Sequence, residues 1–385
     1  MNRLMNAATG TERVHTVVIG GGQAGLTVGY HLRRHGLSFV ILDAHERIGD
    51  AWRQRWDSLR LFTPARYDGL AGMRFPARGD AFPTKDDMAN YLESYAARFA
   101  LPVRNGVRVD SVVRENGRYT VIAGDLRFEA EHVVVAMGND QQPRTPSFAS
   151  ELDPGIRQIH SSAYRNPSQL REGDVLVVGL GNSGAEIAKE LVGARRTWLS
   201  GVVKAQLPFR SESAMGRHVL LRLVRFVGHH VLTVHTPMGR KVRPKLLHGS
   251  PPLIRVRSQD LDRAGVTRVP RVIGVKRGRP LLEDGRELDV ANVIWCTGFD
   301  PAFSWIRLPI FDEAGDPRHT LGVVPDEPGL YFVGLHFLSA MTSGTLVGVG
   351  RDAARVVSTI VARTRTTHAN GSRPDDRVLA SVSAQ

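Results

Sequence analysis

The sequence has almost no cysteine and no long apolar run, and each absence excludes a class of protein. Cys296 is the only cysteine among the 385 residues, which excludes an internal disulfide and a paired redox dithiol. No apolar stretch approaches the ~20 residues of a membrane-spanning helix, and residues 1–13 lack the apolar core of a signal peptide. We therefore expect a cytoplasmic protein without stable membrane insertion.

Acidic residues are also in deficit, and the formal net charge is +13. Arginine is spread over the whole chain and no nucleic-acid motif accompanies it, so we interpret the charge as a solvated surface and expect no nucleic-acid partner. Anionic substrates or cofactor phosphates remain an alternative use of these cations. With 42% hydrophobic and 23% charged residues, the composition is that of a globular chain long enough for two domains.

A β-α-β unit opens the chain. Val14 to Ile19 is a β-branched run, Ala24 to Gly36 has helical apolar spacing, and Ser38 to Leu42 is a second strand. The turn between strand and helix fits G-x-G-x-x-G, in which the glycines allow a tight turn, approach of a pyrophosphate and close helix packing, while an acid after the second strand binds a ribose hydroxyl. The predicted ligands of this dinucleotide are Gly20, Gly22, Gln23, Ala24, Gly25 and Asp43.

The same pattern recurs downstream with strand Asp174 to Val178, helix Ala185 to Gly193 and strand Thr197 to Leu199. At the position equivalent to the acid stands Ser200, and an acid there would repel a 2′-phosphate. Its absence, with two cations nearby, favours NADPH over NADH; that these cations merely face solvent is the alternative. The predicted ligands of the second dinucleotide are Gly179, Gly181, Asn182, Ser183, Gly184, Ser200, Lys204 and Arg210.

Two such motifs predict an α/β fold with two doubly wound Rossmann-like domains, as in glutathione reductase, with FAD in the first site and NADPH in the second. Two buried strands end in Ala-Met-Gly and Cys-Thr-Gly, as expected where the chain passes between domains near a cofactor. The corresponding candidate ligands are Met137, Gly138, Thr297 and Gly298.

The domain organisation follows from these patterns. We expect an FAD-binding domain made of residues 14–150 and 290–363 and an NADPH-binding domain of residues 171–289, with flexible tails at 1–13 and 364–385. Residues 139–173, rich in Pro, Ser and Gln, read as the connection between domains. A helical insertion near 205–258 contains an amphipathic helix from Met215 to Leu232. This helix is a lid or interface, plain core packing, or a surface element that touches membrane.

Longer motifs are more specific than the glycine turns, and with them the sequence resembles the flavin-containing monooxygenases, especially the plant auxin-forming branch and its bacterial relatives. The resemblance extends from residue 14 to residue 362. The matching stretches are Gly20–Gly25, Asp50–Pro64 with its W-R-x-R-W-D-S-L-R-L run, Phe82–Lys85 before Tyr91–Tyr95, Gly179–Gly184, Arg243–Lys245 and Gly329–Gly334.

The resemblance implies a reaction and further ligands. NADPH would reduce FAD, and O₂ would then react through a C4a-(hydro)peroxyflavin that gives one oxygen atom to a small organic substrate and the other to water. Retained NADP⁺ would cover the flavin. Additional cofactor contacts implied by the family are Trp52, Arg60, Val107 and Leu346. A homodimer is left open.

Two motifs depart from the family. His160 and Tyr164 match only the end of a linker motif, so they either couple the domains or merely satisfy backbone groups. Where amine-oxidising members have an Asn near the flavin, this chain has Phe62, which favours a carbonyl or carboxylic-acid substrate over a tertiary amine. Candidate substrate residues are Phe62, Tyr67, His336, Phe337 and Met341.

Two other functions stay open: a flavoprotein reductase passing electrons to an acidic protein partner, and a non-catalytic nucleotide-binding regulator. The chemistry expected of the flavin requires no metal or acid-base pair, so no catalytic side chain is assigned. The histidines of the insertion lack ligand spacing and predict no metal site. They are His218, His229, His230 and His235.

Overall fold

The computed structural model of the chain describes residues 10–247, 249 and 251–371. The strands are β1 (Thr11–Ile19), β2 (Phe39–Leu42), β3 (Val103–Arg104), β4 (Ser111–Glu115), β5 (Arg118–Ala123), β6 (Leu126–Val135), β7 (Gln142–Pro143), β8 (Arg157–His160), β9 (Val175–Val178), β10 (Thr197–Ser200), β11 (Thr267–Val269), β12 (Val272–Lys276), β13 (Arg279–Leu282), β14 (Asn292–Trp295), β15 (Phe299–Asp300) and β16 (Leu330–Phe332). The α-helices are α1 (Gln23–Arg34), α2 (Asp50–Arg53), α3 (Lys85–Arg98), α4 (Asn182–Leu191), α5 (Leu221–Phe226), α6 (Pro237–Leu247), α7 (Ser258–Ala264) and α8 (Leu346–Gly371).

The first sheet has seven strands, in the order β3-β2-β1-β6-β5-β4, with β16 beside the end of β6. The long strand β6 pairs with two strands along one of its edges. Its first half pairs antiparallel with β5, and Val133–Val135 pair parallel with Leu330–Phe332. The ends of β1, β2 and β6 are buried, as expected for parallel strands covered on both faces.

The second sheet is entirely parallel, in the order β11-β10-β9-β14-β8. Its central strand β9 is the buried run Val175–Val178, and α4 follows β9 as α1 follows β1. Two Rossmann-like units are thus present, which confirms the predicted fold class.

The chain crosses between the sheets twice, and the two crossing segments pair with each other. β7 follows the first sheet on the outward path, β15 follows β14 on the return, and Phe299 and Asp300 pair antiparallel with Pro143 and Gln142. A hydrogen-bonded pair of crossings restrains how far the two units can separate.

Two predicted domain boundaries are wrong. β14, placed in the second part of the FAD-binding domain, pairs with β9 and β8 in the second sheet. β8 itself lies in the stretch interpreted as connection. Both strands are short, and a local apolar pattern does not say which sheet a strand will join.

The predicted tails are also too long. β1 begins at Thr11, which is paired with Arg127, so residues 11–13 belong to the first sheet. α8 continues to Gly371, and the hydroxyl of Thr364 lies 2.9 Å from His15 Nε2. The rest of the two predicted tails, residues 1–9 and 372–385, lies outside the described residues.

The segment predicted as a helical insertion contains irregular helices. Residues 216–231 make one helical run in which α5 is flanked by π-helical turns at Gly216–Leu220 and Val227–Val231. α6 follows, with Pro244 inside it. Over the described ranges no helix is long and apolar enough to cross a bilayer.

The loop between α2 and α3 is fixed by two tyrosines of α3. The hydroxyl of Tyr91 accepts a hydrogen bond from Leu70 N at 2.7 Å and donates one to Met73 O at 2.8 Å. Tyr95 donates to Ala71 O at 2.7 Å. This loop carries two of the candidate substrate residues, so its position depends on buried polar contacts.

We expect Tyr91→Phe to lower the free energy of unfolding by about 1–3 kcal/mol, because it leaves the buried Leu70 N–H without an acceptor. Urea melts followed by circular dichroism measure this. Tyr95→Phe is the matched control and should cost less, since it removes only a donor to a carbonyl. Equal losses in the two variants would contradict this account of the loop.

Candidate functional site

The first glycine turn joins β1 to α1 and is shaped by close backbone contacts. Gly20 has φ +108°, and a Cβ there would lie 2.7 Å from the carbonyl oxygen of Ala136. A Cβ at Gly25 would lie 1.8 Å from the carbonyl oxygen of Gly20. Gly22 has nothing within 4 Å of its Cβ position, so the middle glycine faces open space.

The second turn, between β9 and α4, repeats this geometry. Gly179 has φ +110°, and a Cβ there would lie 2.2 Å from the carbonyl oxygen of Cys296; at Gly184 it would lie 1.9 Å from the carbonyl oxygen of Gly179. Gly181 again has nothing within 4 Å. In both turns the outer glycines are required by packing and the middle one leaves room for a ligand.

These turns fit a pyrophosphate. Neither Gly22 nor Gly181, the residues that precede α1 and α4, provides a side-chain cap, and neither helix has an acid in its first turn. The first N–H groups of a helix have no partner within the helix and, with the helix dipole, attract anions. The structure therefore offers two anion-binding helix ends, each with space beside its middle glycine.

Asp43 braces the first turn. Its carboxylate accepts a hydrogen bond from Gly21 N and, at 2.8 and 2.9 Å, from the backbone N and ring Nδ1 of His45. Burial would raise the pKa of Asp43, but the hydrogen bonds from His45 and Gly21 hold it below its usual value. Val107 N donates to Asp43 O at 2.8 Å, which places Val107 at this turn.

The carboxyl edge of the first sheet brings further predicted residues together. Asn139, directly after Gly138, donates to Gly334 O at 3.1 Å and accepts from His336 N at 3.2 Å. A Cβ at Gly334 would lie 2.9 Å from the Cβ of Ala24. Leu346, at the start of α8, belongs to the same core cluster as Ala24. Sequence reasoning missed Asn139, although its position after a strand-ending glycine was a usable signal.

At the second turn, two predicted ligands use their side chains within the fold. The Ser200 hydroxyl donates to Pro270 O at 2.9 Å and accepts from Val272 N at 3.0 Å. Ser200 is 1% exposed, so its side chain is corrected from a nucleotide ligand to a brace between β10 and β12. The Asn182 amide similarly bonds Pro252 O and Ile254 N, which leaves its backbone for a ligand.

The two predicted cations differ in their surroundings. Gly201 packs against Leu180, so the segment that leads to Lys204 starts beside the second turn, and Lys204 is exposed. Arg210 is paired with Asp260 at 2.8 Å. Of the two, Lys204 is the freer to meet a phosphate.

The run W-D-S-L-R of the first unit lies against the second unit. Trp56 is 5% exposed and packs in the core cluster of the second sheet. Asp57 N donates to Arg165 O at 2.7 Å, and Ser58 donates to Glu190 of α4 at 2.9 Å. The most specific motif of the resemblance is therefore an interdomain contact.

Arg60 takes part in the same contact through its backbone. Its carbonyl oxygen accepts a hydrogen bond from Arg255 Nη1 at 3.2 Å, and the same guanidinium lies 3.4 Å from Glu186 of α4. Burial raises the pKa of Glu186 to about 7, although Arg255 opposes this. The Arg60 side chain is exposed and donates to Phe82 O. Trp52, on α2, is half-buried against the first core cluster.

His160 and Tyr164 lie at the return crossing. His160 Nε2 donates to the carbonyl of Gly298 at 3.1 Å, and its Nδ1 accepts from Ser162 N at 3.2 Å. The ring also packs on Phe299 with centroids 5.1 Å apart. Tyr164 is fully buried in the second-unit core, in the same cluster as Trp56. His160 thus holds the crossing segment, while Tyr164 acts through packing.

The candidate substrate residues are not equally placed. Phe62 is 40% exposed, and the Tyr67 ring lies under the guanidinium of Arg225 at 5.2 Å. Met341 N donates to Leu232 O at 2.9 Å, so Tyr67 and Met341 both contact the insertion. Phe337 is 2% exposed and is corrected to an interior residue.

Sequence reasoning missed Asp68, which follows Tyr67. It is fully buried, one carboxylate oxygen accepts from the Thr63 hydroxyl, and the other has no hydrogen-bond partner. Burial raises the pKa of Asp68 to about 7, against the opposing effect of Thr63. A buried carboxyl with a free oxygen and a pKa near neutrality is a candidate proton donor or acceptor.

Among the described residues, one group of side chains has metal-ligand geometry. His15, Glu131 and His132 place ligand atoms within 4.8 Å of one another. Both ring nitrogens of His15 already lie 2.8–2.9 Å from the hydroxyls of Thr16 and Thr364, so the ring ties α8 to β1. The four insertion histidines are not part of this group.

The chain is similar to known oxidoreductases along most of its length. Residues 17–200, which include both glycine turns, match the family model described as pyridine nucleotide-disulphide oxidoreductase. An uncharacterized CzcO-like oxidoreductase from Geobacillus kaustophilus is 38% identical over 350 residues, covering 90% of this chain and 98% of that protein. The solved flavin-containing monooxygenase from Stenotrophomonas maltophilia is 30% identical with a TM-score of 0.75, covering 92% of this chain and all of that one.

The chain belongs to the flavin-containing monooxygenase family. This confirms the predicted resemblance, and with it an oxidoreductase that depends on a flavin and a pyridine nucleotide. The plant branch is represented by the indole-3-pyruvate monooxygenase YUCCA8 of Oryza sativa subsp. japonica, 29% identical over 394 residues and covering 90% of each chain. The reductase alternative is not favoured.

For this flavin-containing monooxygenase, we expect Gly22→Val to fold but to purify without flavin, because its side chain would enter the open space beside the α1 terminus. Absorbance and circular dichroism measure flavin content and folding.

Gly181→Val is the matched control, since Gly181 has the same open surroundings in the second turn. It should keep its flavin but raise the KM for NADPH by roughly ten- to a hundredfold, the equivalent of a lost charge-assisted phosphate contact. Full flavin retention by Gly22→Val, or flavin loss confined to Gly181→Val, would overturn the assignment of the two sites.

Proposed function

We propose that the chain binds FAD at Gly20–Gly25 and NADPH at Gly179–Gly184 and inserts one oxygen atom from O₂ into a small organic substrate. One observation carries this: two glycine turns of the same geometry follow parallel strands in two sheets that are linked by paired crossings. Two nucleotide sites so linked suit a hydride donor and a flavin acceptor.

The single thiol of the chain, Cys296, cannot form a dithiol pair that would accept electrons from the flavin. Burial raises the pKa of Cys296 to about 12, against a weaker effect of Ser161, so the thiolate needed for dithiol exchange is absent near neutral pH. FAD, when bound, supplies hydride acceptance and oxygen activation. The overall change is balanced: substrate, O₂, NADPH and a proton give oxygenated substrate, NADP⁺ and water.

The protein's own residues bind, orient and exclude water. We infer that the α1 and α4 termini hold the pyrophosphates, that Asp43 orients the first ribose, and that His160 fixes the Gly298 crossing between the sites. Asp68 is the proposed holder of a proton, because its carboxyl has a pKa of about 7 and an oxygen with no partner.

A carbonyl or carboxylic-acid substrate is the proposed class. The family resemblance implies that Phe62 takes the place of an Asn of amine-oxidising members. Relatives named for indole-3-pyruvate, a 2-oxo acid, align over about nine-tenths of the chain. Action in the cytoplasm and a homodimer stay predictions; cell fractionation and light scattering of the purified protein test them.

We expect NADPH to be preferred over NADH, with Lys204 contributing. Lys204→Gln should lower the ratio of kcat/KM for NADPH over NADH by about tenfold or more, the effect of one charge-assisted phosphate contact. Lys276→Gln, at another exposed lysine, is the control and should leave the ratio unchanged. Equal kcat/KM for the two nicotinamides in the wild type would refute the preference.

The reaction type is tested with ¹⁸O₂. NADPH should bleach the flavin, air should restore it, and a 2-oxo acid such as indole-3-pyruvate or phenylpyruvate should give a product carrying one labelled oxygen atom by mass spectrometry. A tertiary amine is the comparison substrate and should remain unlabelled. Flavin reduction followed by hydrogen peroxide alone, with no label in any product of a broad panel, would contradict the monooxygenase proposal.

A further inference from the structure

The helical insertion exposes an apolar stripe. Met215, Val219, Leu223 and Phe226 have exposed fractions of 66%, 58%, 57% and 56%. Their spacings of four, four and three residues place them on one side of the helical run. A soluble surface rarely leaves four large apolar side chains of one helix in water.

The opposite side of the run is packed on the candidate substrate loops. Leu221 and Gly228 are buried, and a Cβ at Gly228 would lie 2.6 Å from the Cε of Met341. His229 Nδ1 lies 3.0 Å from the hydroxyl of Thr342. The insertion therefore already packs on this chain through its inner side. The stripe lies on the outer side and is left for a partner other than this chain.

The segment that carries the stripe has charged residues of one sign only. Residues 213–259 contain no Asp or Glu. Arg222 is exposed next to Leu223, and Met238 of α6 is a further exposed apolar residue, at 57%. The nine cations of this segment are Arg217, Arg222, Arg225, Arg240, Lys241, Arg243, Lys245, Arg255 and Arg257.

We propose that this insertion face docks the protein on the surface of an anionic phospholipid bilayer. An interfacial helix buries an apolar stripe at the boundary of headgroups and acyl chains, while flanking cations meet the lipid phosphates. The stripe with Arg222, together with the exposed cations of α6, has both parts of that chemistry.

Other occupants match fewer of these features. Two copies related by a two-fold axis would bring cations against cations, with no acid in the segment to pair them. A nucleic acid would use the cations but leave Leu223 and Phe226 in water. Of these three occupants, the anionic bilayer is the one that uses the stripe and the charge together.

The test is cosedimentation of the full-length holoprotein with vesicles. Vesicles rich in phosphatidylglycerol should retain the protein, vesicles of phosphatidylcholine alone should not, and salt should weaken the retention. Gln at Arg222, Lys241 and Lys245 should reduce partitioning about a hundredfold, since each cation near an anionic surface contributes about a tenfold effect or somewhat less. The charge-matched control carries Gln at the exposed Arg98, Arg279 and Arg286.

The apolar part is tested with Leu223→Gln and Phe226→Gln in one protein, which should lose at least about tenfold in partitioning. Its control is Leu126→Gln with Ile273→Gln, two exposed apolar residues outside the insertion, at 43% and 54%. Flavin absorbance and NADPH-dependent bleaching verify folding and report the enzyme function separately.

Three results would overturn the proposal: no retention by phosphatidylglycerol vesicles, equal loss in the test and control variants, or a wild-type dimer that Leu223→Gln with Phe226→Gln converts to monomer without any vesicle binding. Because docking does not depend on the reaction, vesicle retention with a flavin that NADPH cannot reduce would leave this proposal standing and refute the proposed function.

Discussion

The approach of each helix to the strand before it governs where a nucleotide can bind. A Cβ at Gly25 or Gly184 would lie within 2 Å of a carbonyl oxygen of its own turn, so only glycine lets α1 and α4 start directly over the strand ends. That start directs the first N–H groups of each helix to the carboxyl edge of its sheet. Asp43 and Asn139 are arranged around the first of these helix ends.

The nucleotides bound at the two helix ends can react with each other only if the two units keep their relative position. The contacts between the units contribute unequally to this. Exposed ion pairs contribute about 0–1 kcal/mol each, whereas burying a large aromatic side chain contributes about 1.5–3 kcal/mol. Trp56 of the first unit is therefore the main anchor in the second. The hydrogen bonds of Asp57 and Ser58 set its orientation, and His160 holds the return crossing.

Most of the fold could be predicted because it is local. The run Val14–Ile19, the glycines after it and the helical spacing that follows lie within one short window, and the second unit repeats them. The predictions that failed concern contacts between residues far apart in the sequence. β14 joins the second sheet through pairing with β8, which lies more than a hundred residues earlier. The Ser200 hydroxyl forms hydrogen bonds with the backbone about seventy residues away, at the start of β12. The sequence around Ser200 does not indicate these bonds.

The site shows the same division. The glycines could be predicted because glycine is the residue type that the backbone of these turns requires. The pKa of Asp68, in contrast, depends on burial and on the hydrogen bond from Thr63, and both exist only after folding. Selection of a substrate likewise depends on contacts that exist only after folding. Tyr67 and Met341 come from distant loops, and each contacts the insertion. A change in the length or packing of that insertion would therefore alter the substrate region without altering either glycine turn. The insertion is thus the part of this fold where a shared oxygen chemistry can acquire a particular substrate.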